Sequence, residues 1–257
     1  MKKYFSVFCL FISLIAISQN SPVNYLDNFT KIGLNLQYTN TSFRNQTNTG
    51  LILDYLDVES PVIGINYNIF QHNNFNFKAN SNIRFYNHQR YTYIGASDLD
   101  ATNDILNTYT ESGLVDLLTK IKSEYVFSKG KNIFLNIGTG FSVLYYKKQT
   151  VLNKGFFDFN DNRIFTYDWS TGNKSIYFGA LFSLGMDIST KGMLYQLFVE
   201  YNHNLSGPTD IYTYTTSNLL VSENSTVEKR NTGHYLSFGI SLHPKKSWFE
   251  KKKNKFK

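Results

Sequence analysis

Five histidines, His72, His88, His203, His234 and His243, have the ordinary pKa nearest neutrality, so acid–base or nucleophilic chemistry would start from them. A hydroxyl nucleophile also needs its base within hydrogen-bond reach and a third group to orient that base. His203 and His234, with Ser206 and Ser237, are placed to meet near the outer edge of two neighbouring strands, which is where a lipid-modifying site would lie. No His-x-Ser pair occurs, however, and nothing fixes an orienting group. These residues are therefore expected to be polar rim residues, with no catalytic centre. Asp158, Asn160 and Asp161 lack the spacing of a calcium loop, and there is no phosphate loop, zinc pattern or nucleophile elbow. No cofactor or metal is expected.

A second group is more regular. Lys78, Arg84, Asp116, Lys120, Lys122, Glu124, Asp187 and Glu200 all fall on the polar side of segments that alternate polar and apolar residues. In the narrow interior of a small barrel, a half-satisfied charge network would cost several kcal/mol. Opposite-sign pairing between strands is therefore expected, for instance Lys120 or Lys122 with Glu200 or Asp187, as a structural network.

The elements that would hold these residues have a period of two. Ile32, Leu34, Leu36 and Tyr38 alternate with Gly33, Asn35 and Gln37 in the first strand (about 29–43), and Ile63, Ile65 and Tyr67 with Gly64, Asn66 and Asn68 in the second (61–70). Six more such strands follow at about 75–85, 115–127, 133–145, 176–187, 195–202 and 234–242. Short turns are expected after the second, fourth and sixth, at 71–74, 128–132 and 189–192, and long connections elsewhere. An even strand count with tight turns at one end and long loops at the other is the arrangement of a transmembrane barrel, with both termini in the periplasm. The expected fold is all-β: a closed antiparallel up-and-down transmembrane β-barrel of eight strands, or ten if the 155–169 hairpin joins the sheet. Aromatic residues on the apolar side, Tyr38, Phe85, Tyr145 and Tyr201 at the outer level and Phe75, Tyr125, Phe127 and Tyr195 at the inner, match interface girdles.

Bulk composition narrows the class. The 257 residues include 22 Phe and 19 Tyr but four prolines, and no linker divides them. After the N-terminus, no apolar run reaches the roughly 18 to 20 residues a spanning helix needs. The formal charge of +7 is misleading as a nucleic-acid signal. Seven lysines against one glutamate in Lys245–Lys257, together with Lys2 and Lys3, hold all of it, so the body is nearly neutral and no nucleic-acid partner is expected. Residues 1–18 have the anatomy of a Sec-type signal peptide: Lys2-Lys3, an apolar core, and Ala16 and Ser18 at the cleavage positions. The single cysteine, Cys9, lies within it, so the exported chain is expected to hold no disulfide. Residues 19–243 are then the barrel and 244–257 a basic periplasmic tail, expected to be solvated.

The signal peptide, the segment Leu117–Phe127 and the Gly-rich Ile137-Gly138-Thr139-Gly140-Phe141 strand together resemble the small porin-family outer-membrane β-barrels of Bacteroidota-type bacteria, built like the OmpA transmembrane domain or OmpX. That resemblance implies a bacterial outer-membrane location, outer-membrane lipid and the barrel insertion machinery as partners, and a filled lumen. The chain departs from it at the end, where His243-Pro244 leads into a basic tail instead of a terminal aromatic residue.

The function expected is structural or surface-binding, without catalysis, and with an external ligand that the loops do not identify. Three alternatives stand beside it: a lipid A-modifying enzyme, a secreted lipocalin-like barrel with an apolar ligand, and a narrow channel. Alternation cannot tell outside from inside. Whether Ile63, Leu117, Phe182 and Leu197 point in or out separates a membrane barrel from a soluble one.

Overall fold

The structure is a computed structural model that describes residues 25–42, 52–94, 105–128, 131–145, 153–159, 162–171, 174–218 and 223–249. The expected signal peptide, residues 1–18, and the end of the expected basic tail, residues 250–257, lie outside them. Twelve strands are present among these residues: β1 (Ile32–Ser42), β2 (Ile52–His72), β3 (Phe75–Ile94), β4 (Ile105–Ser128), β5 (Ile133–Tyr145), β6 (Asn153–Phe159), β7 (Asn162–Thr171), β8 (Ile176–Ser189), β9 (Met193–Asn204), β10 (Asp210–Asn218), β11 (Glu223–Asn231) and β12 (Tyr235–Pro244). Eight of them close an antiparallel barrel in the order β1-β12-β9-β8-β5-β4-β3-β2. Apart from β12 closing on β1, every barrel strand neighbours the preceding and following barrel strands in sequence, which is up-and-down topology. Closure removes both edges of the ring, so the strands pair on both sides where the eight run together.

The 155–169 hairpin does not enlarge the barrel to ten strands. As β6 and β7 it pairs with β10 and β11 in a separate four-stranded sheet, β11-β10-β7-β6. That order repeats the barrel order β12-β9-β8-β5, because each outer strand directly precedes or follows one of those barrel strands in sequence. One break, Thr232-Gly233-His234, turns at Gly233 with φ +72°, a conformation costly for residues with a Cβ. On the other side the wall continues unbroken: β2, β3 and β4 run 21, 20 and 24 residues, about twice what a tilted strand needs to cross a bilayer. The expected long loop between the third and fourth strands is thus mostly strand.

At the opposite end the connections are tight. β2 and β3 pair out to His72 and Phe75 around Asn73-Asn74, with Asn73 in the left-handed region at φ 51°. The first and last described segments meet here. Leu26–Asn28 form a 3-10 turn below the barrel mouth, Phe29 bridges to Lys245, and the Lys246 N–H donates to the Asn28 carbonyl at 3.1 Å. Residues 244–249, the start of the expected solvated tail, are therefore seated on the barrel end. The Lys245 N–H donates to Gly192, and Trp248 lies against Gly192.

The two faces of the sheet are opposite in character. Ile63, Leu117 and Phe182 point outward and are exposed, as are Ile65, Phe141, Phe178, Leu184 and Phe238, and Leu197 shares their outward face half-buried. The inward face carries the charged residues, asparagines and serines.

Candidate functional site

Strand alternation delivers all eight charges singled out from the sequence to the lumen. Lys78 and Arg84 come from β3; Asp116, Lys120, Lys122 and Glu124 from β4; Asp187 from β8; and Glu200 from β9. Each is at most 4% exposed. Four are cationic and four anionic, so the set is neutral. Six of them form one chain of alternating sign. Lys120 Nζ lies 2.5 Å from Glu200, and Lys122 Nζ lies 2.8 Å from both Glu200 and Glu124. Lys78 Nζ lies 2.5 Å from Glu124 and 3.8 Å from Asp187. The remaining two pair with each other, Arg84 donating to Asp116 through Nε and Nη2 in a fork. Of the pairs expected from sequence, both lysines meet Glu200, whereas Asp187 is met by Lys78.

Neutral groups complete the network. Gln37 Oε1 accepts from Lys120 Nζ at 2.9 Å, Asn136 and Gln196 donate to Asp187 at 2.9 and 3.0 Å, and the Phe198 ring lies 4.9 Å below Lys122 Nζ. The Tyr25 hydroxyl also donates to Asp187 and accepts from Asn76 at 3.0 Å. Burial, and then the nearby Asp187, raise the Tyr25 phenol well above its ordinary value, so it stays a neutral donor. Tyr25 precedes the first strand and so lies outside the alternating pattern that marks the other lumen residues. Its only signal in the sequence is the apolar spacing Tyr25-Leu26-x-x-Phe29 after the expected signal peptide.

Above and below the charges the lumen turns apolar. Tyr25, Leu26 and Phe29 pack with Val126, Phe134 and Leu194 at the end bearing the termini, where the Tyr25 and Phe134 rings stack at 4.0 Å. Leu118, Leu144, Tyr177 and Tyr235 form the second cluster, toward the other end. These inward apolar residues are exceptions to strict alternation, so period alone does not reveal them. Between the two clusters, Lys120, Glu124, Asp187 and Glu200 are no more than 1% exposed, so no water-wide passage touches them.

The histidines separate. His203 and His234 do meet at the outer rim, their rings stacked with centroids 4.4 Å apart. The serines do not join them. Ser206 Oγ accepts from the Phe178 N–H at 2.7 Å, and Ser237 is buried in the lumen. Among the described residues no three His, Cys, Asp or Glu side chains gather as metal ligands. His243 is fully buried at the terminal end, where Nδ1 lies 3.0 Å from the Thr30 carbonyl and Nε2 3.3 Å from Asn66. His72 is exposed beside the β2–β3 turn, and the side chain of His88 lies outside the described set.

No protein-family model and no curated protein sequence matches the chain. Among solved structures it is similar to the outer membrane protein OprG from Pseudomonas aeruginosa (10% identity, 84% of this chain and 97% of that one, TM-score 0.44). It is also similar to the outer membrane protease OmpT from Escherichia coli (6%, 84% and 96%, TM-score 0.30) and to the β domain of the Bordetella autotransporter BrkA (8%, 82% and 99%, TM-score 0.29). At these scores the likeness carries nothing about what this chain does.

Proposed function

We propose that the chain is a bacterial outer-membrane β-barrel protein with a structural or surface-binding role and no catalysis, a small porin-family barrel of the OmpA/OmpX kind from a Bacteroidota-type envelope. The observation that carries this reading is the inversion of the sheet's faces. Large apolar side chains stand exposed on all eight barrel strands, while a neutral set of paired charges is buried within. Water penalises that arrangement and hydrocarbon favours it. Its partners are then outer-membrane lipid and, during assembly, the barrel insertion machinery, after Sec-type export.

The outer sheet supports the surface-binding part. Its register sets Phe157 opposite Phe165, Tyr214 opposite Tyr167 and Tyr212 opposite Trp169. Aromatic residues at paired register positions of an open sheet are the residue types that partners use as anchors.

A lipocalin-like carrier would need the apolar face inside, against the exposure of Ile63, Leu117 and Phe182. A lipid A hydrolase would need a hydroxyl and an acid beside the rim histidines. A channel would need a path past two apolar clusters. Two measurements test the reading. The outer-membrane fraction is expected to yield a species whose gel mobility shifts on boiling, and the protein in planar bilayers is expected to give no conductance steps. Recovery as a soluble, unshifted protein overturns the membrane placement; discrete conductance overturns the filled lumen.

A further inference from the structure

The end of the barrel that carries the tight turns is basic. Lys31 precedes β1, Lys131 lies in the β4–β5 turn, Lys191 lies in the β8–β9 turn, and Lys245 and Lys246 follow β12. Lys31, Lys131, Lys191 and Lys246 are exposed and Lys245 is half-buried. Each is close in sequence to an outward apolar residue: Ile32 next to Lys31, Ile133 after Lys131, Tyr195 after Lys191, and Leu242 before Lys245 and Lys246. The lysines therefore mark the margin of the apolar belt at the β1–β12 seam and at two of the three turns; the β2–β3 turn exposes His72 and Asn73 instead. The described carboxylates at this end are Asp27, exposed in the 3-10 turn, and Glu124 and Asp187, both buried among the lumen charges.

The segment after β12 is fixed on this margin. The Lys245 and Lys246 N–H groups donate to the Gly192 and Asn28 carbonyls at 2.9 and 3.1 Å. The Trp248 and Phe249 N–H groups donate back to the Lys245 and Lys246 carbonyls at 3.1 and 3.0 Å, closing a single turn. Trp248 lies against Gly192 yet stays 53% exposed, and Phe249 beside it is 56% exposed. Lys31 Nζ donates to the Ile69 carbonyl at 3.3 Å, which holds it across β1 and β2 at the same margin and leaves donors for an anion. From this point the sequence adds five more lysines and one glutamate in residues 250–257.

We propose that this end of the barrel is a docking surface for anionic phospholipid headgroups of the inner leaflet, the lysines taking the phosphates and Trp248 and Phe249 anchoring at the headgroup level. Charge complementarity selects an anion, since Asp27 is the one exposed carboxylate among the described residues here. Continuity with the belt selects lipid as its carrier. The outward positions near this end, Ile32, Phe70, Phe75, Ile133, Tyr195 and Leu242 among them, are uncharged, so hydrocarbon and phosphate meet the protein in the order that a leaflet presents them. Exposed aromatic rings beside ammonium groups are the pairing that such a boundary favours.

This inference rests on the membrane reading, and its test separates the two. The full chain carrying Trp169→Phe keeps Trp248 as its one tryptophan. It is placed in phosphatidylcholine nanodiscs in which about a tenth of the lipid is acyl-brominated phosphatidylglycerol or, in a parallel sample, acyl-brominated phosphatidylcholine, and quenching of Trp248 fluorescence is compared. Phosphatidylglycerol is expected to quench about threefold more at low salt, and the preference to vanish at about 0.5 M salt. Lys131→Gln/Lys191→Gln/Lys246→Gln is expected to remove it at low salt, and deletion of residues 250–257 to leave about half of it or more. Each variant is first checked for the boiled-against-unboiled gel shift, and Lys191→Gln/Lys246→Gln serves if the triple variant lacks it. Equal quenching by the two lipids, or none by either, overturns the docking surface. A preference lost entirely with residues 250–257 places the site on the tail and overturns the rim. A chain that never forms a heat-modifiable membrane species overturns the membrane reading and this inference with it.

Discussion

The barrel and the outer sheet share one strand order and end in opposite ways. Strands β12, β9, β8 and β5 are closed by β1 to β4 into a ring, whereas β11, β10, β7 and β6, their continuations, stop at two open edges. The difference follows from the solvent. Hydrocarbon offers an unpaired N–H or C=O no partner, so the sheet must close where lipid surrounds it. Above that level water satisfies an edge, and the chain is free to break at Gly233 and splay. Closure also makes the inside a sealed space in which each polar group is judged by its neighbours. The open sheet is under no such demand.

If the lumen is the interdependent region and the outer sheet the tolerant one, the largest effect should come from a lumen charge with two opposite-sign partners. Glu200 alone meets both Lys120 and Lys122, at 2.5 and 2.8 Å. Glu200→Ala leaves two buried ammonium groups to Gln37 and Glu124 and is expected to cost about 3–5 kcal/mol. The shift of the urea midpoint in micelles, read as the fraction of heat-modifiable species, measures it. A loss under about 1 kcal/mol would mean that water or a neighbouring group replaces the carboxylate freely.

A smaller effect tests packing without touching charge. A Cβ on Gly140 would stand 2.7 Å from Lys122 Cα and 2.8 Å from Lys122 Cβ. The backbone of β4 cannot retreat without opening its ladder to β5, so Gly140→Val is expected to cost about 1–3 kcal/mol in the same assay. An unchanged midpoint would show that the lumen has slack at this level.

What the sequence makes legible divides along the same line. Alternation exposes the eight barrel strands and their inward charges, because two unlike surroundings on the faces of one sheet impose a period of two. Leu118, Leu144, Phe134 and Leu194 are illegible as lumen caps, since on the inward face they look like breaks in the pattern, and only neighbours distant in sequence show that they cluster. The upper halves of β2, β3 and β4 carry no strand signal of the same kind, because the alternation that lipid imposes lapses there. The 155–169 hairpin is visible as a hairpin. Its partner is not: the β7–β10 pairing spans some forty residues and depends on the barrel strands that carry both. The rim pair is legible as two histidines that could meet, but the Asn204 backbone N–H that donates to His234 Nδ1 at 2.9 Å is not.

The smallest expected effect is the one that completes the comparison. Trp169 pairs with Tyr212 on one side and Asn153 on the other, within the outer sheet. Removing so large a side chain from a core costs about 3–5 kcal/mol. Here the four strands pair only with one another, in a sheet separate from the barrel, so loosening one need not open the ring. Trp169→Ala is therefore expected to leave the barrel midpoint within about 0.5 kcal/mol of wild type, while proteolysis of intact cells cuts the outer segment faster. A barrel midpoint lowered as far as in Gly140→Val would mean that the outer sheet buttresses the ring; the open sheet would then be part of one cooperative unit with the closed one, and not a platform carried on top of it.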